Sequence, residues 1–408
     1  MNEMDKDAMS DWEDLMERIK STVDENISLE PELGLTEKNL ISRVEKNIMK
    51  YSIKMSRFIS AERVYLSLLP VIKQEFMNRE KDATYRFKNT IRDVNQCIFK
   101  FLAYFEDYPT QVQNEVLNCI SHMSCEYRNT DNKQISREII QDLTNYNWIR
   151  STEKYKTSVS QMAAALEKIT GLKKAKYSLL KYYNSMIRNA NDGPNVILIK
   201  SSHPKDNREI IKCFADLIGS SREINCQNLG YDPEVTAGSA RIYCNAVPGE
   251  LGGAIIRDNA KVIVLHNIND ATRKTVGQLS SFFAGSFVDN YYHTIIPNNV
   301  FIICVESNSG RKTSDILLED VHIINMDDYT TEEKEHILNK TIDEYNKKFK
   351  LNLSIAEEAK EIILQMNSVF EIKKMLLEIF SNISIEAVLS GHTDIDRIIG
   401  LDDLDKTK

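Results

Sequence analysis

Glycine and proline are scarce in this chain, 14 and 8 among 408 residues. A sequence so short of chain breakers is not collagenous, linker-rich or low-complexity; it reads as a largely helical chain with few tight turns. No stretch reaches the roughly 18 apolar residues that a membrane span needs. The start, MNEMDKDAMSDWEDLMERI, lacks both the basic end and the apolar run of a secretory signal. The seven cysteines (Cys97, Cys119, Cys125, Cys213, Cys226, Cys244, Cys304) form no C-x-x-C pair, and an odd, scattered set is not a disulfide framework. They read as small core residues in a reducing cytoplasm. Positive charge is not in excess either. The formal net charge of −8 weighs against a dedicated nucleic-acid binder, while leaving room for a local basic patch.

What is present is strong periodicity. Residues 1–40 are acidic, weakly patterned and broken by Pro31 and Gly34, and are expected to form a mobile arm. Residues 41–136 read as an all-helical domain. Its segments include TYRFKNTIRDVNQCIFKFLAYFEDY, closed by Pro109, and TQVQNEVLNCISHMSCEY, whose apolar residues recur at helical spacing. Helices continue through a lead-in at 137–190. At NDGP the texture changes to short β-branched runs, NVILIK, KVIVL, NVFIIC and VHIINM, alternating with helices. Such runs signal a parallel sheet covered on both faces. The predicted α/β core spans 191–328, with strands near 196–200, 223–226, 262–266, 300–305 and 321–326. A small helical lid is expected at 329–385 and a tail at 386–408.

In an open parallel sheet, ligands bind beyond the carboxyl ends of the strands. A working nucleotide site there needs a glycine loop to cradle phosphate, a lysine, a magnesium-binding hydroxyl and two carboxylates. The loop after the first strand is Ser201-Ser202-His203-Pro204-Lys205-Asp206-Asn207-Arg208. It has no glycine, and Pro204 has no N–H to offer. Lys205 and Arg208 leave some anion affinity at the following helix start; otherwise it is an ordinary strand-to-helix loop. The second candidate strand ends in His266-Asn267, where the carboxylates should stand, and Asp270 comes too late along the chain to replace them. His266 has no histidine or cysteine partner at metal spacing. After NVFIIC, the residues Glu306, Ser307 and Asn308 are read either as orienting a ligand or, the preferred reading, as simply hydrating the sheet edge.

Three ordered stretches carry a family resemblance. GSARIYCNAVPGELGGAII (238–256) looks like the pore-loop segment of Lon-type ATP-dependent proteases. GSFVDNYYHTIIPNNVFIICVES (285–307) and LTNYNWIRSTEKYKTSVSQMAAALEKITGLKKAKYSLLKYY (143–183) resemble two further segments of the same AAA+ module. Together they span about residues 137–375. The resemblance implies an AAA+-like wound parallel sheet with a C-terminal helical lid, preceded by an all-helical domain.

Carried over position by position, the family's catalytic residues are replaced. Its phosphate loop falls on Ser201 to Arg208, with Asn207 at the lysine position and Arg208 at the hydroxyl position. The magnesium and water-activating carboxylates fall on His266 and Asn267, and the sensor asparagine on Ser307. The arginine-finger positions fall on Leu318 and Asp320, and the second sensor arginine near Phe370. The Lon protease domain would begin where this chain ends. Tyr243 and Cys244 stand at the pore-loop pair that grips polypeptide in the family. They are read either as a retained peptide or partner contact, or as part of a turn fixed by Pro248 and Gly249 with Tyr243 packed on a neighbouring helix.

The expectation is therefore a vestigial nucleotide site in a protein that is not an enzyme. It binds no cofactor or metal and acts as a protein-binding scaffold or regulatory subunit, monomeric or a small oligomer. Alternatives are an ATP-binding, non-hydrolysing switch and an adaptor or inhibitor of an active AAA+ or Lon-type complex. Nucleic acid is a less favoured partner, and no membrane role is expected.

Overall fold

The computed structural model describes residues 94–103, 105–124, 130–148, 157–188, 195–230, 233–243, 245–318, 321–390 and 396–405. The expected arm and the first half of the helical domain lie outside these. The chain divides into two compact units that interleave in sequence. One comprises Met1–Glu153, Tyr231–Ala260 and Gly277–Asn298; the other comprises Lys154–Gly230, Lys261–Val276 and Asn299–Lys408.

The first unit contains α1 (Val94–Ala103), α2 (Thr110–Ser124) and α3 (Thr130–Asn145). Their apolar stripes meet in a core that includes Cys97, Phe101, Val112, Val116, Ile139 and Leu143. Phe101 meets Phe105 and Tyr108 edge-on, with ring centroids 5.3 and 5.2 Å away. The boundary expected at 136/137 falls inside α3. No Gly or Pro breaks TDNKQISREIIQDLTN, and Ser136 is buried within it. Segments 231–260 and 277–298, expected within the α/β core, belong to the unit of these helices.

The second unit is built on a five-stranded parallel sheet: β1 (Asn195–Lys200), β2 (Ser221–Asn225), β3 (Val262–His266), β4 (Phe301–Val305) and β5 (His322–Asn325), in the order 2-3-4-1-5. Each expected strand is present and all five share one sheet, so the chain is a mixed α/β protein. Strand composition matches strand position. The inner strands β1, β3 and β4 carry the continuous apolar runs Val196–Ile199, Val262–Leu265 and Phe301–Val305, and β4 is buried at every residue. The edge strands, SREIN and HIIN, bury only Ile224 and Ile324. An inner parallel strand is covered on both faces, whereas an edge strand tolerates polar residues. Against one face pack α4 (Val159–Glu167), α5 (Lys173–Arg188) and α6 (Arg208–Ile218). Leu166, Leu179, Tyr183 and Phe214 meet Ile197, Val264, Phe301 and Ile303 there. A capping box between Ser158 and Gln161 starts α4.

The lid helices are α7 (Thr331–Phe349), α8 (Glu357–Leu364) and α9 (Val369–Ser390). Thr330 and Glu333 form a capping box at the start of α7, and Lys350 in left-handed backbone (φ 55°) ends it. The expected tail is structured in part. α9 runs on to Ser390, and Asp396–Ile399 pairs in parallel with Asn352–Ile355. Ile399 and Leu404 enter the lid core beside Leu353 and Phe380. Asp403 fixes this turn by accepting from Arg397 and from the Gly400 N–H. No described helix is long and apolar enough to cross a membrane.

Candidate functional site

Because the sheet is parallel, the loops after β1, β3 and β4 leave from one end of it. The loop after β1 folds on itself. Ser201 Oγ accepts from the His203 N–H at 3.1 Å and from Asn207 Nδ2 at 2.6 Å, and the Asp206 N–H donates to the His203 carbonyl at 3.0 Å. Pro204–Asn207 is a single 3-10 turn, Asn207 is buried, and Ser202 and Arg208 face outward. A phosphate cradle needs several N–H groups converging on open space. Here two of them already have partners within the loop, and Pro204 has none to give.

Asp206 points to the lid. Its carboxylate accepts from Ser368 Oγ at 2.7 Å, from the Val369 N–H at 2.9 Å and from the Phe370 N–H at 2.8 Å. These are the otherwise orphaned donors at the start of α9, where the helix dipole favours an anion. Lys205 lies over the Phe370 ring, 5.1 Å from its centre, and Lys373 pairs with Glu209 at 3.8 Å. Around these contacts lies a cleft of about 230 Å³, lined by Tyr329, Val369 and Phe370 and by the cations Lys205, Arg208, Lys340 and Lys373.

The other strand ends are knitted together. Lys200, at the end of β1, lies 3.6 Å from Glu306, which follows β4, and Glu306 also accepts from Thr313 Oγ1 at 2.7 Å. His266 pairs with Glu223 at 3.1 Å. Asn267, in left-handed backbone (φ 57°), donates to Asn225 Oδ1 at 2.9 Å. The Ser307 N–H donates to Asn269 Oδ1, and Ser307 Oγ to Asp270 Oδ2, both at 2.6 Å. The Ser307 and Ser309 hydroxyls hold the Asp270 carboxyl below its usual range.

Two expectations change here. Glu306 and Ser307 bond to protein groups rather than simply hydrating an edge. Asp270, set aside for its distance along the chain, reaches the end of β4 through the short turn Ile268–Asp270. Polar residues beyond strands ordinarily face water, so sequence gave no signal for either. Among the described residues, no group of three or more His, Cys, Asp and Glu could hold a metal.

In the first unit, the segment 238–257 hangs from two buried acids. Arg241 lies 2.5 Å from Glu115, and its Nε donates to the Tyr291 carbonyl. Asp289, fully buried, accepts from the N–H groups of Gly249, Tyr291 and Tyr292 at 2.9, 2.8 and 3.1 Å. Gly249 is required there, since a Cβ would lie 2.1 Å from the Thr236 carbonyl oxygen. Ser239 closes the turn through three bonds with Val247. Beyond this base, Ile242, Tyr243 and Val247 are 83, 48 and 58% exposed. Gly249 holds this turn to Asp289, and Tyr243 is half-exposed beside it. Cys244 lies outside the described residues. The single acid in GSFVDNYY, flanked by Phe287, Val288, Tyr291 and Tyr292, was the one sequence cue to the buried Asp289.

Compared with known proteins, the chain matches no family model and no curated protein.

Proposed function

We propose that this chain is a catalytically inactive, Lon-like AAA+ module, a pseudo-ATPase used as a protein-binding scaffold or regulatory subunit. The observation that carries this is the Asp206 carboxylate. It stands in the loop where a phosphate would be held, and it takes the three donors at the start of α9 for itself. A second anion brought close to it meets a negative charge. Asn207 is short, neutral and bonded to Ser201, and His266 and Asn267 supply no carboxylate for magnesium or water. The protein-binding half of the proposal rests on Ile242, Tyr243 and Val247, apolar residues displayed on a base fixed by Arg241 and Asp289.

The second reading, an ATP-binding switch without turnover, is favoured by the cations of the cleft beside α9. That cleft is smaller than the roughly 300 Å³ at which small-molecule pockets begin. Calorimetry with Mg-ATP and a phosphate-release assay on the full chain separate the two. The scaffold reading expects no turnover and affinity no tighter than weak anion binding. Micromolar binding without turnover selects the switch, and turnover sinks both.

A further inference from the structure

The lid and the sheet have separate apolar cores. The lid core, with Leu338, Ile363, Ile372 and Phe380, holds no residue of the sheet or of α4–α6. The core between the sheet and those helices ends in sequence at Met326, with Tyr329 packed at its margin. Among the described residues the two clusters share no member, so apolar packing does not fix the lid in place. The chain enters the lid beside Gly171, where a Cβ would lie 2.8 Å from the Glu333 side chain and 3.0 Å from Tyr329. That side is tethered covalently and can serve as a pivot. At the start of α9, 42 residues further on from Asp327, the attachment is polar and comes from one short stretch, Lys205 to Glu209. Its ion pair, Glu209 with Lys373, joins side chains 61 and 42% exposed and so contributes little. Lys205 adds a cation over the Phe370 ring. The Asp206 carboxylate takes three hydrogen bonds from Ser368, Val369 and Phe370, with the positive end of the helix dipole behind them. It is the strongest of these attachments.

We propose that the Asp206 carboxylate is a built-in catch, which holds the lid on the loop after β1 with no ligand bound; this rests on the reading of that loop as a vestigial nucleotide site. The position of the lid is then set by the protein's own charge and does not respond to nucleotide. A carboxylate and a tetrahedral oxyanion satisfy N–H donors at a helix start in the same way. Lys205, Arg208 and Lys373 line the same cleft and stay there when Asp206 is replaced. Removing the carboxylate therefore frees the lid and leaves a place that an added oxyanion fills, which restores the closed arrangement.

The test measures the distance from lid to sheet by fluorescence energy transfer in the full-length protein. Dyes are coupled through unnatural amino acids at two exposed positions, Lys181 on α5 and Asn382 on α9. The wild type should show one distance, unchanged by Mg-ATP or by sodium sulfate. In D206A the open fraction should rise roughly 5- to 30-fold, the equivalent of a lost helix cap. Sodium sulfate should return D206A to the wild-type distance, while sodium chloride at equal ionic strength should not. Three results each overturn the proposal: a wild-type distance in D206A without sulfate, a D206A lid that sulfate leaves open, and a wild-type lid that moves with Mg-ATP. Circular dichroism shows whether D206A folds. If it does not, S368A, which removes one of the three donors, tests the same catch, and a distance distribution identical to wild type would overturn it. Phosphate release by the wild type would sink the inactive-module reading and leave these distances to judge the catch separately.

Discussion

Asp206 and Ser368, 162 residues apart, are joined by a 2.7 Å hydrogen bond from the serine hydroxyl to the carboxylate. Ser368 is itself placed as the N-cap of α9, its Oγ accepting weakly from the Glu371 N–H at 3.4 Å. The first turn of the longest lid helix is thus held by a residue of the loop after β1. The contact resembles N-capping, with the carboxylate supplied by a remote segment.

Asp206→Ala should cost about 1–2 kcal/mol, the usual loss for a helix cap. The amides of Val369 and Phe370 should exchange with solvent roughly 5- to 30-fold faster. Asp206→Asn, which keeps one acceptor oxygen, should fall between. Hydrogen exchange read by mass spectrometry decides this; unchanged protection of the start of α9 in the alanine variant would contradict it.

Asp289 predicts a pH dependence. Burial pushes its carboxyl up to about 6, against the N–H groups of Tyr292, Gly249 and Tyr291, which pull it down. In the unfolded chain it titrates near 3.9. Between these values the folded state holds more protons than the unfolded one, so stability is full below about pH 4 and falls as pH rises through 6. The difference amounts to about 3 kcal/mol. Urea melts from pH 4 to 7 should show this decline in the wild type and a shallower one in D289N. D289N should also be less stable by about 1–3 kcal/mol, because its amide cannot accept from all three N–H groups. Parallel pH profiles for the two proteins would refute the assignment.

Glu115 and Arg241 form the other anchor, with side chains only 6 and 16% exposed. Arg241→Met leaves a buried carboxylate without its partner and should cost about 3–5 kcal/mol. The double variant E115Q/R241M should recover much of that loss, as removal of a whole buried pair commonly does. Denaturant melts arranged as a double-mutant cycle measure the coupling, and simple additivity would show that the pair is not energetically linked.

Assembly follows from the arginine-finger positions implied by the family resemblance. Leu318 stands at one, and Asp320, at the other, lies outside the described residues. Without a cation to reach a neighbour's nucleotide, ATP should not drive ring formation. Light scattering with and without Mg-ATP should give one molar mass, that of a monomer or small oligomer. A hexamer appearing only with nucleotide would reject this.

The sequence by itself determined where the strands lie, and their composition agrees with the rank the structure gives them. The runs VILI, VIVL and VFIIC are apolar throughout because an inner parallel strand has two covered faces, while SREIN and HIIN are polar enough only for edges. It also determined the lid and α5 helices, whose apolar residues recur every three to four positions. Periodicity is local, however, and reports only which face of an element is apolar. It cannot say which polar groups meet after the chain closes. Only the tertiary structure brought Asp206 to the start of α9, Ser307 to Asp270, and Arg241 to Glu115, 126 residues away. It also decided that α3 runs through Ser136 and that segments 231–260 and 277–298 join the unit of α1–α3. A hydrogen bond depends on distance and direction in space, and those are set by the packing of the whole core rather than by any pattern along the chain.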